Sequence, residues 1–234
     1  MERLILIETS TALCSVALAE DGAITAYRES SAPKAHASLT AVFIQEVLDE
    51  RGIRLDDCDA VCVSMGPGSY TGLRVGVSTA KGLCFGAGKP LIAVGTLDTL
   101  VEQGEMPDQV GHDEENRNLK YIVPMIDARR MEVYTAVFKD NVQTTDTAPM
   151  IIDENSFSDL LEQGTVLFIG DGAGKCSDVI RHPNARFCQC NPKASAMLKP
   201  AMKAYKEKRF EDVAYFEPFY LKEFVATVSK KKLF

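Results

Sequence analysis

The chain has 234 residues, 46% of them hydrophobic, and a formal net charge of -7 at pH 7. This length and hydrophobic content fit a globular protein with one large domain or two lobes of about a hundred residues each. The negative charge argues against broad, sequence-independent binding of nucleic acids, which needs a positive surface. No apolar run approaches the ~20 residues of a membrane span, so we expect no contact with a membrane.

The cysteines and histidines predict a reduced, cytoplasmic protein without a metal site. Seven cysteines are present, and the pairs Cys58-x3-Cys62 and Cys188-x-Cys190 match neither a zinc knuckle nor a redox CxxC motif. The three histidines lie in separate segments and form no His-x3-His pair that would place two metal ligands on one helix face.

The first hundred residues alternate apolar strands with amphipathic helices. The pattern predicts, in order, strands at 4–7, 14–19 and 23–29, a helix at 35–51, a strand at 60–64, a helix at 71–86, a strand at 91–94 and a short helix from Thr96. Asp21-Gly22 is a strong hairpin signal, so three antiparallel strands are expected to open the chain. The order βββαβαβα is typical of an α/β fold with a mixed sheet covered by helices.

The second half repeats this order in part. The predicted elements are strands at 121–126, 132–138, 143–151 and 166–169, and helices at 155–163, after the glycine-rich turn at 170–174, and at 194–208. We divide the chain into an N-terminal lobe at 1–103, an acidic linker or loop at 104–118, and a C-terminal lobe at 119–234 whose last helical segment can pack back on the first lobe. The similar strand orders favour two lobes that face a cleft.

The most informative stretch is Met-Gly-Pro-Gly-Ser-Tyr-Thr-Gly-Leu-Arg at 65–74, between a predicted strand and a predicted helix. Backbone N–H groups at such a junction suit a phosphate, which would be held around Gly68, Ser69 and Thr71. The same sequence also suits a tight turn with a serine or threonine cap and no ligand. Local chemistry leaves both interpretations open.

Two other turns are candidates to face a nucleotide. The first hairpin carries an acidic and hydroxyl-rich run at Glu8, Thr9 and Ser10. The second is the turn that begins Gly170-Asp171-Gly172 and continues to Lys175. It lacks the spacing of a P-loop, so it remains only a strand-to-helix turn that could border a nucleotide cleft.

Small residues recur every four positions along the predicted helix 71–86, at Gly72, Gly76, Ala80 and Cys84. Each glycine inside a helix costs roughly 1 kcal/mol relative to alanine, so a close packing partner is expected to offset the loss. That partner is either the helix 35–51 of the same chain or the equivalent helix of another molecule. A bulky residue at Gly76 is then expected to abolish partner binding while the monomer stays folded.

Several stretches closely resemble the bacterial TsaB (YeaZ) family: Ile7-Glu8-Thr9-Ser10, the whole of 65–74, Lys81-Gly82-Leu83 and Ile126-Asp127-Ala128-Arg129-Arg130. The resemblance is dense in the first lobe and sparse in the second. It implies a two-lobed, actin-like fold of the sugar-kinase/Hsp70 type (ASKHA), with mixed sheets covered by helices. It also implies a role in forming threonylcarbamoyl-adenosine next to the anticodon of tRNAs that read codons beginning with A.

The resemblance further implies partners. TsaB proteins bind the enzyme TsaD and, with the ATPase TsaE, allow it to modify tRNA, which is the substrate of the complex; in isolation they form homodimers through the helices of the first lobe. Carried onto this chain, the interface residues lie on the helices 35–51 and 71–86: His36, Leu39, Phe43, Gly72, Val75, Gly76, Thr79, Ala80 and Leu83.

The same resemblance predicts a non-catalytic protein. TsaD carries metal-binding histidines just after the strand that corresponds to 91–94, where this chain has Thr96 and Leu100. No tightly bound cofactor is expected, although ATP or ADP at a partner interface stays open. The alternative is an actin-fold phosphotransferase or ATPase that uses Glu8, Ser69, Thr71 and Asp171; a peptidase is a weaker third reading.

Overall fold

The structure is a computed structural model that describes residues 1–106 and 119–222. In chain order the strands are β1 (Arg3–Glu8), β2 (Cys14–Glu20), β3 (Ala23–Ser30), β4 (Ala60–Gly66), β5 (Leu91–Gly95), β6 (Leu119–Asp127), β7 (Glu132–Thr135), β8 (Phe138–Lys139), β9 (Val142–Gln143), β10 (Ala148–Ile151), β11 (Thr165–Gly170) and β12 (Ala185–Gln189). The α-helices are α1 (Ala35–Arg51), α2 (Tyr70–Ala87), α3 (Thr96–Gly104), α4 (Ser158–Gln163), α5 (Ala173–Ser177) and α6 (Leu198–Lys206), with short 3-10 helices at Leu55–Asp57 and Ala194–Met197.

The first sheet has the strand order β3-β2-β1-β4-β5. β1 runs antiparallel to β2, which runs antiparallel to β3, so the expected opening of three antiparallel strands is confirmed. β4 and β5 continue the sheet in parallel with β1. The apolar runs of β1 and β4 are continuous because helices cover both faces of the sheet.

Alternate residues of β1 enter two separate cores, as the two-residue period of a strand requires. Ile5 and Ile7 pack with α1 and α2 on one face. Leu4 and Leu6 pack on the other face with the segment that contains α6, through Met197, Ala201 and Ala204. The last described helix therefore completes the core of the first sheet, although 102 residues (96–197) separate it from that sheet in sequence.

The second sheet has the order β10-β7-β6-β11-β12, and β8 pairs with both β6 and β9. α3 lies between the two sheets, where Leu97, Leu100 and Val101 pack against residues of β6 and β11. Two mixed sheets covered by helices match the predicted α/β fold.

Several predicted boundaries in the second half are wrong. The predicted strand 132–138 is divided into β7 and β8, which pair with β6 on either side of Pro124. Proline has no N–H for the ladder, so pairing is interrupted there. Positive φ angles at Asp140 and Asn141 form the turn between β8 and β9, and the predicted strand 143–151 contributes only to β9 and β10. β12 was not predicted, and the helices predicted at 155–163 and 194–208 are shorter than expected.

A C-terminal strap, residues 209–222, crosses from one lobe to the other. Glu211 forms a β-bridge with Leu91, and the Lys81 ammonium group donates to the carbonyl oxygens of Ala214 (3.1 Å) and Phe216 (2.9 Å). At its end, Lys222 forms an ion pair with Glu132 of the second sheet. The strap therefore contacts both sheets.

Part of the predicted linker, at 107–118, and the basic end of the chain, at 223–234, lie outside the described residues. Among the helices that are described, none is both long and apolar enough to cross a membrane.

Candidate functional site

The turn at 66–70 is capped by the protein itself. Ser69 Oγ accepts a hydrogen bond from the N–H of Gly72 (3.2 Å), which is the usual N-cap arrangement. The Ser69 N–H donates to the carbonyl oxygen of Ser10 (2.6 Å), and a Cβ at Gly68 would overlap that same carbonyl group. The start of α2 is thus occupied by the β1–β2 loop, which favours the capped turn over the phosphate site.

The hydroxyl-rich loop after β1 is fully buried. Glu8, Thr9 and Ser10 have no exposed surface, and Glu8 Oε1 accepts from the N–H of Ser10 (2.6 Å). Burial raises the pKa of the Glu8 carboxyl group from 4.5 to about 7, against the lowering effect of hydrogen bonding. Glu8 Oε2, Thr9 Oγ1 and Ser10 Oγ have no hydrogen-bond partner among the described residues. No ligand reaches these atoms in this conformation, whereas Thr71, on the first turn of α2, is exposed.

The small-residue stripe of α2 faces inward, which corrects its assignment to a helix partner. A Cβ at Gly72 would overlap the carbonyl oxygen of Thr9, and one at Gly76 would overlap the Thr9 hydroxyl group. Ala80 and Cys84 are buried in the core beneath α2. These glycines therefore allow the close approach of the β1–β2 loop, so a bulky residue at Gly76 is expected to destabilise the monomer instead of leaving its fold unchanged.

A different set of small residues lies on the outer surface of α2. Ser78, Gly82 and Gly86 are spaced four residues apart and are all exposed. A Cβ at Gly82 or Gly86 would meet no heavy atom within 4 Å in the part of the chain that the structure describes. The helix-propensity loss at these two glycines is thus not offset by packing within the described chain. The four-residue spacing was visible in the sequence, but which face it occupies was not.

The outer face of α1 and α2 also exposes apolar surface. Phe85 on α2 is 86% exposed and Val42 on α1 is 45% exposed. Between the two helices lies a groove of about 450 Å³, lined by Ala41, Ile44, Gln45, Leu48, Asp49, Ile53, Arg54, Leu55, Thr79 and Leu83. We call this outer face, from Val42 through the groove to Phe85 and Gly86, the α1–α2 face.

The predicted interface residues divide into two groups. Five are half-buried at the surface of the helices: His36, Leu39, Val75, Thr79 and Leu83. The remaining four, Phe43, Gly72, Gly76 and Ala80, are buried in the core and cannot contact a partner. His36 has an internal task as well, because its Nε2 is hydrogen-bonded to the carbonyl oxygen of Thr11 (2.8 Å). The sequence prediction did not name Phe85, Val42, Gly82 and Gly86, which are exposed on the same two helices.

The glycine-rich turn of the second lobe is also explained by packing. A Cβ at Gly170 would overlap the Met125 carbonyl group, and one at Gly172 would lie 2.9 Å from Val133 Cγ1. Asp171 Oδ1 accepts from the N–H of Asp127 (2.8 Å), while burial raises the pKa of the Asp171 carboxyl group to about 6. The turn therefore packs against the end of β6 and is hydrogen-bonded to it.

Lys175, which follows this turn, is used internally. Its ammonium group pairs with Asp127 and donates to the carbonyl oxygens of Arg130 (2.7 Å) and Glu132 (2.7 Å). It thereby fixes a turn in which both Arg129 and Arg130 have positive φ. Among the described residues, no hydrogen bond or ion pair links the Gly170–Gly172 turn to the Glu8–Ser10 loop.

Comparisons with known proteins agree on one family. A family model described as "TsaD: tRNA N6-adenosine threonylcarbamoyltransferase" matches residues 29–229. The tRNA threonylcarbamoyladenosine biosynthesis protein TsaB of Escherichia coli (strain K12) is 30% identical over 235 aligned positions, 96% of each chain. The TsaB protein of Haemophilus influenzae is 32% identical over 242, with 98% of this chain and 96% of that one covered.

Solved structures give the same result. YeaZ from Pseudomonas aeruginosa superposes with a TM-score of 0.80 at 25% identity, covering 94% of this chain and 100% of that one. An activator of 2-hydroxyisocaproyl-CoA dehydratase from Clostridium difficile has a TM-score of 0.50 at 9% identity, over 88% of this chain and 96% of its own, and shares the fold. The molecule is a two-lobed protein of the actin-like ASKHA class. Within that class, the chain belongs to the TsaB (YeaZ) family.

Individual transferases from Clostridium botulinum match only in part. A tRNA N6-adenosine threonylcarbamoyltransferase from Clostridium botulinum is 45% identical over 67 residues, which is 29% of this chain and 20% of the transferase. The likeness to the TsaB relatives is therefore full-length, whereas the likeness to this transferase is local.

Proposed function

We propose that this chain is an accessory, non-catalytic partner of the transferase TsaD in the formation of threonylcarbamoyl-adenosine in tRNA. The observation that carries the proposal is the full-length match to TsaB proteins, set against a match to the transferase that covers 20% of its length. TsaE joins the complex, tRNA is its substrate, and the work takes place in the cytoplasm.

The residues at the expected metal position support the non-catalytic assignment. By the family resemblance, Thr96 and Leu100 stand where the transferase is expected to have histidines, and in the structure both are fully buried. Leu100 packs with Leu97 and Ile169 between the two sheets, and an isobutyl group offers no electron pair to a metal ion. Within residues 1–106 and 119–222, no three His, Cys, Asp or Glu side chains are grouped to hold one.

We place the contact with TsaD on the α1–α2 face. Gly82 and Gly86 let another helix approach α2 closely, which would offset their cost in helix propensity. Phe85 is a large exposed aromatic side chain beside them, of the kind that anchors protein interfaces. The same face would serve a homodimer in isolation, so homodimer and heterodimer compete for it.

The isolated chain, on this proposal, holds no nucleotide tightly; ATP or ADP would act at the interface with TsaD. The support is the burial of Glu8, Thr9 and Ser10 and the capping of α2 by Ser69, which leave the actin-fold phosphate position filled with protein atoms. Titration of the isolated chain with Mg-ATP distinguishes a chain that holds no nucleotide tightly from the phosphotransferase alternative. Micromolar binding with turnover would favour the enzyme.

Reconstitution tests the proposed function. Unmodified tRNA, threonine, bicarbonate and ATP are combined with TsaD, TsaE and the threonylcarbamoyl-AMP synthase, with and without this chain. We expect modified tRNA only when the chain is present. Equal product in its absence would refute the activator role.

Two matched substitutions test the surface. Phe85→Asp on α2 is expected to abolish TsaD binding and activation, whereas Ile151→Asp on β10 is expected to preserve both. The two residues are comparably exposed, at 86% and 73%, so a charge at either position should leave the fold intact. Equal loss of TsaD binding in both variants would show that the α1–α2 face is not the contact.

A further inference from the structure

An exposed surface joins the two lobes at the end of the C-terminal strap. The N–H of Phe219 donates to the carbonyl oxygen of Met65 (2.7 Å), which holds the strap against the end of β4. The ring of Tyr220 contacts the ring of Tyr70, with 4.9 Å between the ring centres. The end of the strap is therefore fixed beside the first turn of α2.

Aromatic rings and positive charges alternate along this surface. The guanidinium carbon of Arg74 is 5.4 Å from the centre of the Tyr70 ring, and Lys222 Nζ is 5.8 Å from the centre of the Tyr134 ring. Tyr220 links the two pairs, because it contacts Tyr70 and precedes Lys222 by two residues. It keeps 37% of its surface exposed, so part of an aromatic side chain is open to a flat ligand with cations on either side.

The turn between β6 and β7 adds two arginines in a strained backbone conformation. Arg129 and Arg130 have φ angles of 72° and 51°, in the left-handed region that glycine and asparagine adopt more easily. Both side chains are exposed, and within the described part of the chain neither forms a hydrogen bond or an ion pair. Internal contacts therefore do not explain arginine at either position, and strained residues of this kind are concentrated where proteins contact ligands.

This turn lies next to the end of the strap. Glu132, which pairs with Lys222, donates its N–H to the carbonyl oxygen of Arg129 (3.2 Å). The two exposed arginines therefore belong to the same surface as Lys222 and the Tyr220 ring.

Most carboxylates near this surface are neutralised. Glu132 is paired with Lys222, and Asp127 is paired with Lys175. Glu217 is the one carboxylate of residues 217–222, and it is exposed. We call the following residues the strap-end surface: Tyr70, Arg74, Arg129, Arg130, Tyr220 and Lys222.

We propose that the strap-end surface binds a single-stranded segment of RNA, which in the proposed function is the anticodon loop of the substrate tRNA. Unstacked bases of single strands stack on exposed aromatic rings, which is the role of Tyr220. Guanidinium groups pair with phosphates, which is the role of Arg129 and Arg130. The negative net charge of the whole chain confines this binding to the one surface.

Arg74 places this surface beside the contact proposed for TsaD. It precedes Ser78 by one helical turn, so it continues the exposed side of α2 that carries Gly82 and Gly86. A loop of RNA on the strap-end surface would therefore lie where the chain meets the transferase. The inference rests on the proposed function, in which tRNA is the substrate of that complex.

Fluorescence anisotropy of a labelled anticodon stem-loop tests the proposal, with the full chain alone and in complex with TsaD. Arg129→Gln combined with Arg130→Gln should weaken binding by about tenfold or more. It should also reduce the slope of log K against log salt by about 1.4, because each phosphate contact with a single strand contributes about 0.7. Tyr220→Ala should weaken binding by about fivefold or more, whereas Tyr220→Phe keeps the ring and should bind like the parent chain.

Matched controls remove the same chemistry elsewhere. Lys206→Gln combined with Lys208→Gln removes two exposed positive charges at the end of α6, and Tyr215→Ala removes an aromatic side chain of the strap that is 84% exposed. Both should leave the RNA affinity little changed. An equal loss in the arginine and lysine variants would overturn the proposal, as would an unchanged affinity in the arginine variant.

Two parallel measurements separate this inference from the proposed function. The arginine variant should still bind TsaD in a pull-down, because the α1–α2 face is intact. RNA binding by the strap-end surface without activation of TsaD would refute the proposed function alone, whereas activation with RNA affinity unchanged by the substitutions would refute this inference alone. If the arginine variant lost TsaE binding and kept its RNA affinity, the surface would belong to a protein partner and the inference would be wrong.

Discussion

The two classes of glycine on α2 predict opposite effects of the same substitution. Alanine at Gly82 adds a methyl group that meets no described heavy atom within 4 Å, in an exposed helical position. It should raise the free energy of unfolding by about 1 kcal/mol, the difference in helix propensity. Alanine at Gly72 drives its methyl group into the backbone carbonyl of Thr9. Overpacking of this kind costs roughly 1–3 kcal/mol, which exceeds the propensity gain.

Urea unfolding followed by circular dichroism measures both variants. For a chain of this length, each kcal/mol should also move the melting temperature by about 2–4 °C. The variants are compared at two protein concentrations, since self-association through α2 would add to the stability of the parent chain. If the Gly72→Ala variant is as stable as the Gly82→Ala variant, the β1–β2 loop does not need a glycine at position 72 and the packing argument is refuted.

Three further predictions concern single side chains. Glu8 has a raised pKa in the folded state, so the folded chain keeps a proton that the unfolded chain releases, and its stability should fall as pH rises from about 4.5 to above 7. The Glu8→Gln variant should lack this loss, which is on the order of 3 kcal/mol for the 2.5-unit difference in pKa. Unfolding titrations of the variant that show the same pH profile as the parent chain would count against this prediction. Lys175→Met should lower the free energy of unfolding by about 2–3 kcal/mol, because the carbonyl oxygens of Arg130 and Glu132 lose their donor. Arg129→Met, at an exposed position, should change the free energy of unfolding little. Equal urea midpoints in the two variants would contradict the role given to Lys175. Lys81→Met should release the C-terminal strap and speed its cleavage in limited proteolysis. Lys206→Met, at an exposed position, is the control. Equal cleavage rates in the two variants would show that Lys81 does not hold the strap.

Local signals predicted the first lobe well. Helix α1 was placed at its observed bounds because a regular apolar stripe is followed by Gly52, which adopts φ +63° and ends the helix. The first three strands follow from apolar runs and from Asp21-Gly22, whose φ angles of 48° and 79° suit a hairpin turn.

Features that depend on tertiary contacts could not be predicted from the sequence. β12 has no apolar run, since this edge strand is only half-buried, and so it gave no strand signal. The small residues of α2 repeat at four-residue spacing on two faces, and only the position of Thr9 shows which face is internal. The carboxyl group of Glu8 was one candidate to face a nucleotide, and the fold buries it completely.

The packing of the chain's last segments has a consequence for synthesis on the ribosome. Leu4 and Leu6 form one face of the first sheet with Ile92, and that face is covered by Met197, Ala201 and Ala204. A nascent chain that has emerged only as far as α3 therefore exposes an apolar sheet surface. The first lobe can reach its final packing only after the second lobe has been made. Truncation before α6 should yield an aggregating product instead of a free-standing first lobe.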